Sequence, residues 1–358
     1  MKIAKIDEKE WPLKRQCDFI AEMWRAEFNA LRLGVLREKG EQALVETQRF
    51  NLRRHQRKYF LSGLEKLGIK GATDAIKAAK YHYFSNMLGG LDMEYVEETP
   101  NKVWIRYRGD LFLYRDGSFA LPASVPRATF SGWHPFNGIS LNNPKLGFVC
   151  TKVVEDGEPY YEGYFLEYDH DLDASERMAY KFVTESPDFD PNKAPKLDPN
   201  LWPPDRIHRT KRSYMRQYVE SFVETLLDLY GAPRACEIIS LAYRGVSAVY
   251  FPSWFKELGI TGNNALSLTS FFEIVENFNE EEVEIVSESA RKFVMRKSSN
   301  KLFQGIKIPS EVMRAMFEFK IMCAKMLNPR VKVKLTKLLS DGDSCDEWIV
   351  EDVKERLF

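Results

Sequence analysis

Side chains able to do chemistry gather at a few places in this chain. Cys345 stands in the segment SDGDSCD, with Asp341, Asp343 and Asp346 around it. A thiol attacks as the thiolate, which needs a cation, an imidazole or a helix N-terminus close by. Three carboxylates push the other way, so a nucleophile and a small turn residue both fit the pattern. The cations that could reverse this are Arg330, Lys332 and Lys334, on the adjoining stretch. His134 lies in SGWHPFNGISLNN (131–143) between Trp133 and Phe136. Gly132, Pro135 and Gly138 predict an irregular loop there, and aromatic loops carrying an imidazole line pockets. His134 is the acid–base group such a pocket would use, and a packed loop with a satisfied histidine is the competing reading. Asp169-His170-Asp171, with Asp173 behind, has metal-ligand residue types. Strand alternation sends 170 away from 169 and 171, so no metal is assigned. Tyr160, at the head of Tyr161, Tyr164, Phe165 and Tyr168, fits either a sheet core or an aromatic pocket wall.

The elements that must hold these groups read in two rounds. Slid by 191 residues, Gly40 falls on Gly231, Arg53 on Arg244, and LGIKG (67–71) on LGITG (258–262). At 190, EYVEETPNKVWIRY (94–107) falls on EIVSESARKFVMRK (284–297); at 185, NPKLGFVCTKVVEDGE (143–158) falls on NPRVKVKLTKLLSDGD (328–343). Tyr160 then stands opposite Cys345. Order and slow drift together predict two tandem copies: 1–184, a Pro-rich linker 185–212 centred on SPDFDPNKAPKLDPNLWPPD, and 213–358.

Within each copy, two long helical stretches break at a glycine, at Gly40 and at Gly231. They cover 8–36 and 41–66, then 212–229 and 233–258. A third helix is predicted over 72–88 and 264–278. Alternation then predicts strands around a turn in 103–121, a hairpin in 283–297, a helix over 310–327, and strands over 332–339 and 347–353. The fold class is α+β: helices first, then an antiparallel sheet with one inserted helix. The copies are expected to pair face to face as a pseudo-dimer.

Composition narrows the function. Lys+Arg and Asp+Glu are both 52, so a chain that coats nucleic acid is disfavoured. RFNLRRHQRKYF (49–60) is basic, yet the second copy carries nearly neutral SLAYRGVSAVYF, so the fold does not need that charge. A solvated face or a contact with an acidic partner accounts for it. No apolar run reaches the ~18 residues of a membrane span. The five cysteines are widely spaced with no CxxC pair, which predicts a reducing, cytoplasmic setting without disulfides. No glycine-rich nucleotide motif is present, and no cofactor is assigned.

The end of the second copy, with Asn328, Pro329, Thr336, Gly342, Asp343, Cys345 and Asp346, resembles the close of the L-2-amino-thiazoline-4-carboxylic acid hydrolase family and the related vinyl-reductase-type small-molecule-binding domains. The resemblance implies an α+β small-molecule-binding protein that hydrolyses a cyclic amidine or amide C–N bond by cysteine chemistry, on a heterocyclic or aromatic ligand. On that reading Cys345 and His134 are catalytic, and Trp133, Phe136, Asp343 and Tyr160 contact the ligand. That family's further Cys-Pro element is absent: IKIPSEV (306–312) stands in its place. The alternative is a non-catalytic accessory or scaffold subunit that docks onto a larger enzyme.

Overall fold

The computed structural model describes residues 7, 9–108, 117, 120–181, 183 and 185–353. Helix α1 (Leu13–Lys39) ends at Gly40, whose φ of 83° lies in the left-handed region that glycine alone adopts freely. Helix α2 (Glu41–Lys66) follows directly. Helix α3 (Asp74–Leu88) opens with the Thr73 hydroxyl accepting from the Ile76 N–H, a side-chain N-cap. Strands β1 (Asp92–Thr99) and β2 (Lys102–Arg108) pair antiparallel about a turn at Pro100-Asn101. The hairpin thus lies upstream of the expected one, because the apolar residues of 103–107 pair backward. The second strand expected within 103–121 falls largely outside the described residues.

The stretch expected to be an irregular loop is helical: α4 (Ser124–Trp133) and α5 (Phe136–Ser140) flank His134. Its glycines serve close packing here. A Cβ on Gly132 would meet the Leu52 Cβ at 2.9 Å and the Arg49 carbonyl at 3.0 Å, so glycine lets α4 approach α2. Strands β3 (Leu146–Lys152), β4 (Tyr161–Glu167) and β5 (Met178–Tyr180) complete a five-stranded sheet in the order β1-β2-β4-β3-β5. All neighbours are antiparallel except β3 and β5, which run parallel.

Helix α6 (Pro204–Glu257) begins inside the stretch expected to be linker and is broken at Gly231, with φ 71°. Helix α7 (Ala265–Phe278), strands β6 (Val283–Ser289) and β7 (Lys292–Lys297), helix α8 (Ser310–Leu327), and strands β8 (Val331–Lys337) and β9 (Asp346–Asp352) follow. Their sheet runs β6-β7-β9-β8. Both sheets carry a bulge on the first hairpin, at Glu97/Thr99 and at Ser287/Ser289. Both carry another on the second pair, at Cys150/Lys152 and at Leu335/Lys337. The fold is mixed helix and mainly antiparallel sheet, α+β as the sequence predicts.

Contacts group the chain into two compact units, and these cut across its linear order. Unit 1 takes α1 up to Gly34 together with residues from Leu226 onward; unit 2 is Val35–Thr225. In unit 1, Trp11 and Phe19 pack on Phe278, and the Trp24 indole donates to the Asn279 side chain at 3.1 Å. In unit 2, the first half of α6 lies on α2, where Lys58 pairs with Glu220 and Arg54 with Glu224 at 3.4 Å. Two of the helix's basic residues are thus paired within the chain.

Candidate functional site

Three histidines of unit 2 are buried in one cluster. His55 comes from α2, His82 from α3, and His134 from the joint between α4 and α5; all are at most 5% exposed. Alternation along β2 sends Tyr107 to the helical side of the sheet and Arg106 to the other. The Tyr107 hydroxyl reaches His134 Nε2 at 3.0 Å and His82 Nδ1 at 3.4 Å. The two imidazoles stack with ring centres 4.2 Å apart, between Phe148 and Phe165.

The partners fix every proton in this chain. His134 Nδ1 faces the Phe130 carbonyl at 3.2 Å, which only accepts, so Nδ1 carries the hydrogen and Nε2 the lone pair. Tyr107 therefore donates to His134 Nε2. Its oxygen then accepts from His82 Nδ1–H, which leaves His82 Nε2 to accept from the Asn137 amide at 2.9 Å. Gln56 Nε2 lies behind Asn137, with Ser140 Oγ at 2.9 Å and the Asn137 Oδ1 at 3.4 Å. One directional relay thus runs Asn137 to His82 to Tyr107 to His134 to Phe130, all neutral. At the third histidine, Ser221 Oγ donates to the Gln217 carbonyl, so His55 Nδ1 donates to Ser221 Oγ at 2.9 Å. Its ring stacks on Tyr218 at 4.1 Å.

Burial keeps these rings uncharged. It pushes His55 down to about 3, with Lys58 adding to the effect. It pushes His134 down to about 3 against the pull of the Phe130 carbonyl. It holds His82 well below the usual imidazole range, with His134 adding to it. At neutral pH the cluster can donate, accept and relay hydrogen bonds, but holds no charge.

These residues surround a cavity walled by His55, Tyr81, His82, Tyr107, Trp133, His134, Tyr214 and Tyr218, with half-buried Ser85 and Asn86 at its edge. The centre of a water-sized sphere can occupy about 40 Å³ of it. A water needs ~10–15 Å³ on that measure, so the cavity has room for about three waters. Among the described residues no charged side chain lines it.

The structure brings Trp133 and His134 together here and places the other expected site residues elsewhere. Phe136 lies outside the wall, with the Arg53 guanidinium 3.8 Å above its ring. Tyr160 stands among Arg106, Arg108 and Lys152, and Lys152 Nζ donates to its hydroxyl at 3.2 Å. Cys345 is buried in unit 1 at the head of β9. Around it Asp343 accepts from the Leu338 N–H and Asp346 from the Leu339 N–H, so both hold the turn. Asp169 bonds the neighbouring His170 ring at 2.7 Å. Among the described residues no group of three His, Cys, Asp or Glu could hold a metal, and no helix is long and apolar enough to cross a membrane.

Sequence reasoning missed His55, His82, Tyr107 and Asn137. A signal existed for His55. At the 191 register Gln48, Asn51 and His55 fall on Ile239, Ala242 and Val246, so one α2 face is polar where its counterpart is apolar. At the 190 register Tyr107 falls on Lys297. Unit 1 there has a charged cluster, with Glu276 between Lys320 at 2.7 Å and Lys297 at 3.3 Å. Burial opposes the Glu276 charge, but Lys297 and Lys320 prevail and hold its carboxyl down to about 2. Glu27 beside them takes the Tyr243 hydroxyl at 2.7 Å, and burial pushes it up to about 8.

Compared with family models, curated proteins and solved structures, the chain matches none.

Proposed function

We propose that unit 2 is a binding module for one small, uncharged, planar molecule, seated in the cavity beside Trp133 and the His82–Tyr107–His134 relay. The carrying observation is that relay: its hydrogen bonds run in a single direction, and its three rings are neutral and enclosed. A cavity with aromatic walls and a few fixed polar groups is the usual form of a small-molecule site. A cationic amidine or a carboxylate would be left without a counter-charge there, which costs several kcal/mol on burial. The proposal therefore keeps the heterocyclic or aromatic ligand that the family resemblance implies and drops its charge. Hydrolysis through Cys345 is not part of it, because that buried thiol is not among the residues that line the cavity.

The two-copy organisation belongs to the same proposal. Shared strand order and paired bulges support it, as does a repeated polar cluster. Thr151 donates to Glu162 at 2.9 Å, with Arg106 and Lys152 on the same carboxylate; Thr336 donates to Glu347 at 2.9 Å, with Arg296 and Lys337 on it. On this reading the second copy keeps the fold and fills its site with the Glu276–Lys297–Lys320 cluster.

Calorimetric titration tests the binding. Phenol and 2-pyridone should bind the whole protein, and benzoate and benzamidinium should bind at least tenfold more weakly. Equal affinity for the charged rings, or no binding of the neutral ones, defeats the proposal.

A further inference from the structure

The sheets of the two units end differently. In unit 2, β5 runs parallel to β3 and covers its outer side. In unit 1, β8 holds the place of β3 in the strand order, and among the described residues no strand lies beyond it. Burial differs accordingly. In β3 every residue from Leu146 to Thr151 is buried, whereas in β8 only Val331 is. Val333 and Leu335 stay half-exposed, although they sit directly across from Val350 and Trp348, which are fully buried. An antiparallel strand turns alternate N–H and C=O groups away from its partner. On β3 these belong to Phe148 and Cys150. The Phe148 N–H donates to the Arg177 carbonyl at 2.9 Å, and the Lys181 N–H donates to the Cys150 carbonyl at 3.0 Å. The pairings of β3 with β4 and of β8 with β9 match step for step, up to the bulges at Cys150/Lys152 and Leu335/Lys337. The corresponding outward groups on β8 are therefore those of Val333 and Leu335. Among the described residues no other segment takes them up.

The same edge is basic, with Lys332, Lys334 and Lys337 in the strand and Arg330 just before it. Lys337 pairs with Glu347 at 3.3 Å, and Lys332 stands across from Glu351. Lys334 is exposed, stands across from Ile349, and has no acidic partner among the described residues. We propose that β8 receives an extended acidic segment of a partner protein, added as a further parallel strand where unit 2 has β5. The free N–H and C=O groups of Val333 and Leu335 supply the main-chain bonds, as in other strand-addition complexes. Alternation sets the chemistry of the segment: apolar side chains beside Val333 and Leu335, and Asp or Glu beside Lys332 and Lys334. The lysines also weigh against another molecule of this protein as the occupant. Pairing β8 with β8 gathers like charges on one face, and edge lysines are a usual guard against such self-pairing. This surface lies in unit 1 and uses no residue of the cavity in unit 2.

The test titrates the whole protein with three capped peptides: EVEVEV, the same peptide N-methylated at its glutamates, and KVKVKV. Calorimetry reads affinity, and amide exchange by NMR reads Val333 and Leu335. N-methylation keeps every charge and side chain but removes the N–H groups that a parallel strand offers to β8. EVEVEV should bind at least tenfold more tightly than either of the others and slow exchange at Val333 and Leu335. Lys334→Glu, at an exposed position, should still fold, lose at least tenfold in affinity for EVEVEV, and gain affinity for KVKVKV. No binding of EVEVEV, equal binding of its N-methylated form, or full affinity in the Lys334→Glu protein overturns the proposal. So does a free protein that sediments as a dimer with Val333 and Leu335 already protected, which would make another molecule of this protein the occupant.

Discussion

Mild acid should weaken unit 2 and strengthen unit 1. The three buried imidazoles of unit 2 are neutral in the fold and titrate near 6.5 when unfolded. Their folded values are depressed, so the stability they permit is present above pH 6.5. It is lost as pH falls from there toward 3, because the unfolded chain takes up protons that the fold refuses. Between pH 7 and pH 5 His55 and His134 cost about 2 kcal/mol each, about 4 kcal/mol together, and His82 acts in the same direction. That rivals the ~5–15 kcal/mol total stability of a domain. Glu27 in unit 1 acts in the opposite sense. Its folded value, raised to about 8 by burial, means the fold prefers the protonated form. Stability from Glu27 is full below its ordinary carboxylate range and is lost as pH rises toward 8. Acidification from pH 7 to pH 5 should therefore return about 2–3 kcal/mol to unit 1. Glu276, held down to about 2, loses its contribution only below its ordinary carboxylate range and stays out of this window. Hydrogen exchange followed by mass spectrometry reads both units in one sample. After correction for intrinsic exchange, peptides of α3 should lose protection between pH 7 and pH 5, and peptides of α7 should keep or gain it. His55→Val, copying Val246, should cut the α3 loss by about 2 kcal/mol. Protection of α3 that stays within ~1 kcal/mol across the two pH values would refute the buried neutral relay.

Other outcomes follow from single contacts. Tyr107→Phe keeps the ring but strands His134 Nε2 and His82 Nδ1–H, and at ~1–3 kcal/mol per buried orphan it should cost about 2–5 kcal/mol by urea denaturation. Gly132→Ala puts a methyl against the Leu52 Cβ and the Arg49 carbonyl. It should cost about 1–3 kcal/mol and weaken 2-pyridone binding by prising α4 from α2. Of the five thiols, half-buried Cys236 should alkylate first with iodoacetamide at pH 8, and Cys17, Cys150, Cys323 and Cys345 only on unfolding. Peptide mass spectrometry reads the order, and early modification of Cys345 would restore its candidacy as a nucleophile.

Local rules carried much of the fold. The breaks at Gly40 and Gly231 follow from backbone sterics within one residue, and both are observed with positive φ. The spans of α3, α7 and α8 and the hairpin of β6 and β7 follow from side-chain periodicity, which is also local. Where sequence reasoning failed, a distant partner decided. Gly132 and Pro135 read as loop residues until α2 is placed against them, when the glycine becomes the condition for contact and the proline the start of α5. The same holds for the site. Trp133 and His134 were legible because aromatic and imidazole residues adjoin in the chain. His55, His82 and Tyr107 lie on three elements, and each alone looks like an ordinary helix or strand residue. Only packing brings His82 and Tyr107 within hydrogen-bond reach of each other and the His55 ring onto Trp133, and only that burial keeps the imidazoles neutral. The sequence by itself determined the α+β class and the glycine breaks, because these depend on neighbours along the chain. The tertiary structure alone decided which compact unit each helix joins, where Cys345 and His134 fall, and which protons the relay holds. Those depend on contacts between residues that sequence separation does not encode.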